Sequence, residues 1–128
     1  MWRSALVSIM GSVGLAACDS IFGGACPADV RMAVEISLTD SVTSEELDAA
    51  AAVITLRYQG TAVPLNFVAL NEQGHVVAVG GGGKAGFYDV AVEMAGYLRW
   101  TRTAIRVTST HCGPETQHLR VRLQPAAP

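Results

Sequence analysis

Three histidines, four of the five aspartates and a glycine-rich loop are the groups in this chain whose types could do chemistry, and each can be held against the spacing that its chemistry demands. His75, His111 and His118 could each join an aspartate and a serine in a hydrolytic triad, with the imidazole taking the serine proton. Such triads are defined by geometry, and no nucleophile-elbow sequence picks out a serine, so the histidines are expected to be solvent-facing strand or loop residues. Asp29, Asp40, Asp48 and Asp89 could offer carboxylates to calcium. The Asp-x-Asp-x-Asp-Gly ladder of a calcium loop is missing, and solvated turns explain them more simply. Gly80-Gly-Gly-Gly-Lys84 invites comparison with a phosphate loop. That motif needs a glycine ahead of its Gly-Lys pair and Ser or Thr after it, where this chain has Ala78 and Ala85, so a flexible hairpin loop is expected. No catalytic residue, metal or cofactor follows from these groups, and a hydrolase with a site assembled from scattered His, Asp and Ser is the less favoured alternative.

The N-terminal segment is more specific. A basic start (Met1, Arg3) is followed by an apolar run from Ala5 to Leu15 and then by Leu15-Ala16-Ala17-Cys18. This order resembles a bacterial lipoprotein signal with its lipobox. The resemblance implies that residues 1–17 are removed, that Cys18 is diacylated on sulfur, and that it becomes the mature N-terminus. An ordinary secretory signal cut after Ala17 would place bulky Leu15 where a small residue is wanted. A membrane-spanning helix needs about 20 predominantly apolar residues, and this run is shorter and broken by Ser8, Gly11, Ser12 and Gly14. Two or more acyl chains hold a protein stably at a membrane, so a lipidated Cys18 would anchor the chain to the envelope, on the periplasmic side or at the outer membrane, without a spanning segment.

With Cys18 assigned to lipid, two of the three cysteines remain, Cys26 just before the first strand-like run and Cys112 just before the last. In a chain exported to an oxidising compartment they are expected to form a disulfide. A zinc site is disfavoured: Cys-x-x-Cys is absent, and His111 beside Cys112 lacks paired ligand spacing.

The elements that must position these groups are strands. Val30, Met32, Val34, Ile36 and Leu38 alternate with polar or small residues; Tyr88, Val90 and Val92 do the same, as do Leu119, Val121 and Leu123. Period two with one apolar face marks a half-buried strand. Val53 to Gln59, Pro64 to Leu70 and His75 to Val79 read as further strands between turn signals at Gly60 and Asn71 to Gly74. From Tyr97 to Val107 the apolar positions change parity, Leu98 and Trp100 being even and Ile105 and Val107 odd. A β-bulge or bend near Arg102 to Ala104 would return both sets to the core. Thr43 to Glu46 has the capping-box pattern, which predicts one or two helical turns within 43–52. The expected organisation is a tether over 18–25, a single domain over 26–124 and a loose tail at 125–128. Its fold class is all-β, a seven-stranded antiparallel Greek-key sandwich.

Gly86-Phe-Tyr-Asp-Val-Ala-Val-Glu-Met-Ala-Gly-Tyr97, with Trp100 after it, resembles the Gly-x-Tyr-x-Val-x-Val…Gly-Tyr motif of carboxypeptidase regulatory-like domains, which have a transthyretin-like (prealbumin-like) fold. The resemblance extends to Cys112 and the terminal Leu-x-Val-x-Leu strand. It implies a sandwich used as an accessory or binding module, with no catalytic residues to carry over. The first half departs from the family: Ser41-Val42-Thr43-Ser44 and an alanine run stand where a glycine-containing turn is expected, which leaves the register of the second strand open.

Two sets of residues could make contacts with a partner. Exposed aromatics on a sandwich can stack on sugar rings, which makes a carbohydrate-binding module the alternative function. Trp100 is expected to be buried, and Tyr97 is the aromatic to watch. From Arg99 onward the chain carries Arg99, Arg102, Arg106, Arg120 and Arg122 against Glu115 alone, while the formal net charge of the whole is −2. Any attraction to polyanions is therefore local, and no nucleic-acid partner is expected. Either the basic strands pair with acidic neighbours across the sheet, or Arg120 and Arg122 join Arg99 or Arg106 in a patch facing an envelope protein, cell-wall polymer or carbohydrate. The function expected from the sequence is a lipid-anchored, non-enzymatic binding or structural module of the bacterial envelope.

Overall fold

Where the apolar residues alternate, strands form. The computed structural model describes residues 26, 30–70 and 75–127; the signal segment, Cys18 and the tether lie outside the described residues, as does Asp29. The strands are β1 (Val34–Asp40), β2 (Glu46–Leu47), β3 (Val53–Tyr58), β4 (Thr61–Val63), β5 (Leu65–Ala69), β6 (Val76–Gly80), β7 (Gly86–Glu93), β8 (Trp100–Val107), β9 (Ser109–Thr110), β10 (Gly113–Pro114) and β11 (Gln117–Leu123). Seven of them are five residues or longer, and these correspond to the seven strand-like runs of the sequence, three marked by alternation and the others by turn signals or a parity break. The first starts at Val34, since Val30 is 66% exposed.

The strands form two main sheets, one ordered β11-β1-β6-β5 with β2 also paired to β1, the other β4-β3-β7-β8. The fold is all-β, as expected, and among the described residues every strand pairing is antiparallel except one. β1 and β11 run parallel, from Val34 opposite Gln117 to Asp40 opposite Leu123. Their inner faces, Val34, Ile36 and Leu38 with Leu119, Val121 and Leu123, meet Leu56, Tyr88, Val90, Val92, Ile105 and Val107 of the other sheet in one buried cluster.

The parity conflict in the 97–107 run resolves as a bulge. β7 and β8 shift register between Tyr88 and Val90, Ala104 takes φ +56°, and the Asp89 carboxylate accepts the Ala104 N–H at 2.9 Å. The extra residue turns Ile105 and Val107 inward while Trp100, opposite Val92, stays packed on the core. Leu98 does not join them; it is 51% exposed, because its N–H bonds to the Gln124 carbonyl and holds the chain in the turn before β8. β8 is an edge strand, and the bulge with the exposed Arg102 opposite Val90 discourages another strand from adding there.

Two expectations change. No α-helix forms over 43–52: Glu46–Leu47 pair with β1 instead, and a single 3-10 turn, Ala49–Ala51, follows, capped by Asp48, whose Oδ1 accepts the Ala50 N–H at 2.9 Å. Strand pairing competes for Glu46, so Asp48 and not Thr43 becomes the cap. The chain also stays tied beyond Gln124, since Tyr97 and Pro125 form a β-bridge and the Ala126 N–H bonds to the Gly96 carbonyl at 2.9 Å.

Candidate functional site

The polar outer face of the β1–β11 sheet forms a concavity in which several titratable groups meet. Parallel registration sets Glu35 opposite His118, Ser37 opposite Arg120 and Thr39 opposite Arg122. Glu35 Oε2 lies 2.9 Å from His118 Nδ1. On the far side Glu46 Oε2 lies 3.1 Å from Nδ1 of His75, whose side chain is only 12% exposed. Leu70 and Leu119 complete a groove of about 340 Å³ with these groups. His75 is therefore more enclosed than a solvent-facing loop histidine, whereas His111 and His118 are exposed. The groove offers carboxylates, imidazoles, hydroxyls and one guanidinium on a rigid sheet, a donor and acceptor set suited to a polar partner.

The arginines divide between two sheets. Arg120 and Arg122 share the outer face of β11, where the Arg122 guanidinium donates to the Ser41 carbonyl at 2.9 Å. Arg106 lies on β8 opposite Phe87, and Arg99 sits 3.5 Å from Glu93 across the β7–β8 hairpin. Both partners of that pair are well exposed, and such pairs contribute about 0 to 1 kcal/mol. Arg120 and Arg122 are thus brought together, while Arg99 and Arg106 belong to the opposite sheet.

Tyr97 is engaged within the fold. Its hydroxyl donates to Asp40 Oδ2 at 2.8 Å, and the N–H groups of Val42 and Thr43 donate to Oδ1 of the same carboxylate at 2.8 and 3.0 Å. Asp40 is buried at the end of β1, so it is a satisfied turn anchor and not a solvated residue. These bonds, that from Thr43 foremost, hold its carboxyl below the ordinary 3.8, and the Asp40 bond raises the Tyr97 phenol above 10.0. For a depressed carboxyl the stabilisation is full above the unfolded value and is lost as pH falls through the native one. Tyr97→Phe removes one of the lowering bonds. The denaturation midpoint of the variant should trail wild type at neutral pH and converge on it below the ordinary carboxyl value of 3.8. A gap of constant size through that acid range would mean that the Tyr97–Asp40 bond does not set the shift.

The remaining candidates also have structural roles. Gly80 to Gly86 crosses from β6 of one sheet to β7 of the other, so it is not a hairpin. Its backbone is tied: the Gly83 N–H bonds to the Arg31 carbonyl at 2.9 Å and the Lys84 N–H to the Gly81 carbonyl at 3.3 Å. The hydroxyls of Tyr88 and Tyr58 donate to the carbonyls of Lys84 and Ala85 at 2.7 and 3.0 Å. Those two N–H groups are therefore not available to cradle a phosphate. Cys26 and Cys112 form a disulfide, with Cα atoms 5.2 Å apart. His111 lies close to it, yet neither sulfur is a thiolate able to take a metal. Phe67 and Phe87 are exposed, and sequence periodicity did not single them out. Phe87 neighbours the inward Tyr88, so strand parity was a signal that could have found it.

The fold and these groups define a disulfide-bonded all-β sandwich with a polar groove on one face. No protein-family model matches the chain, and no curated protein matches it.

Proposed function

We propose that this protein is a lipid-anchored, non-enzymatic binding or structural module of the bacterial cell envelope, related to carboxypeptidase regulatory-like domains. The observation that carries this is the Cys26–Cys112 disulfide, which closes the domain immediately after the tether and suits a chain matured in an oxidising compartment. The sandwich supplies a rigid frame, and the groove around Glu35, Glu46, His75, His118 and Arg120 is the surface offered to an envelope protein or cell-wall polymer. The alternative of a sugar-stacking platform is less well supported, because Tyr97 and Trp100 both pack against the core.

Cys18→Ser tests the anchor. Wild type should partition into the detergent phase with a lipid-modified Cys18 at its mature N-terminus, and the variant should remain unprocessed at this site. A wild-type N-terminus that is some other, unmodified residue would refute the assignment.

A further inference from the structure

The two ends of the sandwich differ in charge. β1 and β11 begin, and β6 and β8 finish, at the end that holds the Cys26–Cys112 disulfide and the 80–86 loop. Exposed there are Arg31, Arg57, Lys84 and Arg106 against Glu115; of the other acids described at that level, Glu35 is paired with His118, and Asp89, opposite Arg57, accepts the Ala104 N–H, so Arg31, Lys84 and Arg106 still outnumber Glu115. The opposite end gathers Asp40, Glu45, Glu46, Asp48 and Glu93, offset by Arg99 and Arg122. The basic end also presents apolar side chains: Val30 is 66% exposed beside the glycine loop, and Phe87, opposite Arg106, is 57% exposed.

The same end receives the tether. Seven residues separate Cys18 from Cys26, so the anchor and the disulfide are at most roughly 28 Å apart along an extended chain. A strand of eight residues, such as β7, is itself roughly 26 Å long. Turning the acidic end to the membrane would need nearly the whole tether stretched along the side of the sandwich. Turning the basic end to it needs no stretching.

Resting on the anchored reading above, we infer that the disulfide end docks on an anionic phospholipid surface, the one that holds the Cys18 lipid, through Arg31, Lys84 and Arg106, with Val30 and Phe87 at headgroup level. Exposed cations near an anionic leaflet strengthen association, and an aromatic beside them suits the interface. Docking this end leaves the outer-face groove of the β1–β11 sheet upright and open to a partner.

Lys84 is the only lysine in the chain, which gives a single side-chain amine to follow. The lipoprotein purified from envelopes is reconstituted in vesicles of phosphatidylcholine alone or mixed with phosphatidylglycerol, and acylation of Lys84 by an amine-reactive ester is timed by mass spectrometry. Acylation should be several-fold slower on the phosphatidylglycerol vesicles, and high salt should abolish the difference. Removing one basic residue from such a surface weakens association about five-fold, so Arg31→Glu with Arg106→Glu should restore rapid acylation. Arg120→Glu with Arg122→Glu, on the sheet face, should leave the protection in place. Equal rates on both vesicle types with Cys18 lipidated would overturn the docking and leave the anchor intact. An unmodified Cys18, read from the mass of the mature N-terminus, would overturn the anchored reading together with the docking that rests on it. Protection by a soluble anionic cell-wall polymer but not by phosphatidylglycerol would also overturn it, giving the surface to another occupant.

Discussion

Replacing Cys26 and Cys112 together by serine should destabilise the domain by about 4 to 5 kcal/mol, the loss expected when a cross-link over so long a loop is removed from the unfolded chain. The two cysteines are 86 residues apart, and the bond joins the segment before β1 to the hairpin before β11, so it ties together the starts of the two parallel strands. A domain of this size has roughly 5 to 15 kcal/mol in total, so the variant should lie near the threshold of folding. Its thermal midpoint should fall on the order of 20 °C. Urea denaturation with and without reductant measures the effect. Wild type in reductant should match the double variant, and the variant itself should ignore reductant. A loss of less than about 1 kcal/mol would mean that the loop-closure account does not apply to this chain.

How much of this was legible in the sequence depends on whether the signal was local. β1, β7 and β11 each carry their own alternation, and the parity change between Trp100 and Ile105 placed a bulge or bend within Arg102 to Ala104 without knowledge of its partner strand. The cysteine pair was legible by elimination once Cys18 was set aside. The groove was not. Glu35 meets His118 only because the first and last strands pair in parallel, and nothing in the alternation of either strand specifies that neighbour or its register. Tyr97 stays open between platform and core in the sequence because its carboxylate partner, Asp40, is distant along the chain. The capping pattern at Thr43 lost to pairing of Glu46–Leu47 with β1, a tertiary effect overriding a local propensity. The glycine run looked flexible because its main restraints, the Arg31 carbonyl and two tyrosine hydroxyls, come from residues outside it.

Those tyrosines make the glycine loop the second sensitive point. Gly81 has φ +75°, and a Cβ there would lie 2.6 Å from the Tyr88 hydroxyl oxygen and 2.9 Å from its ring. Tyr88 is 1% exposed, its ring centre is 4.9 Å from that of Tyr58, and its hydroxyl is held by the Lys84 carbonyl, so it has little room to yield. Gly81→Ala therefore combines left-handed backbone strain of about 1 to 2 kcal/mol with overpacking of about 1 to 3. The expected total is a loss of about 3 kcal/mol. Gly82→Ala is the control, since its φ lies outside the left-handed region and its nearest neighbour is a Val30 methyl at 3.3 Å, which should cost less than about 1 kcal/mol. Tyr88→Ala deletes the other side of the contact and should cost about 3 to 5 kcal/mol as a buried aromatic truncation. Combining it with Gly81→Ala should cost less than the sum of the two, because the clash disappears with the ring and only the backbone strain remains. Full additivity in that double-mutant cycle would show that the Gly81 penalty is conformational alone and that the tyrosine does not press on the loop.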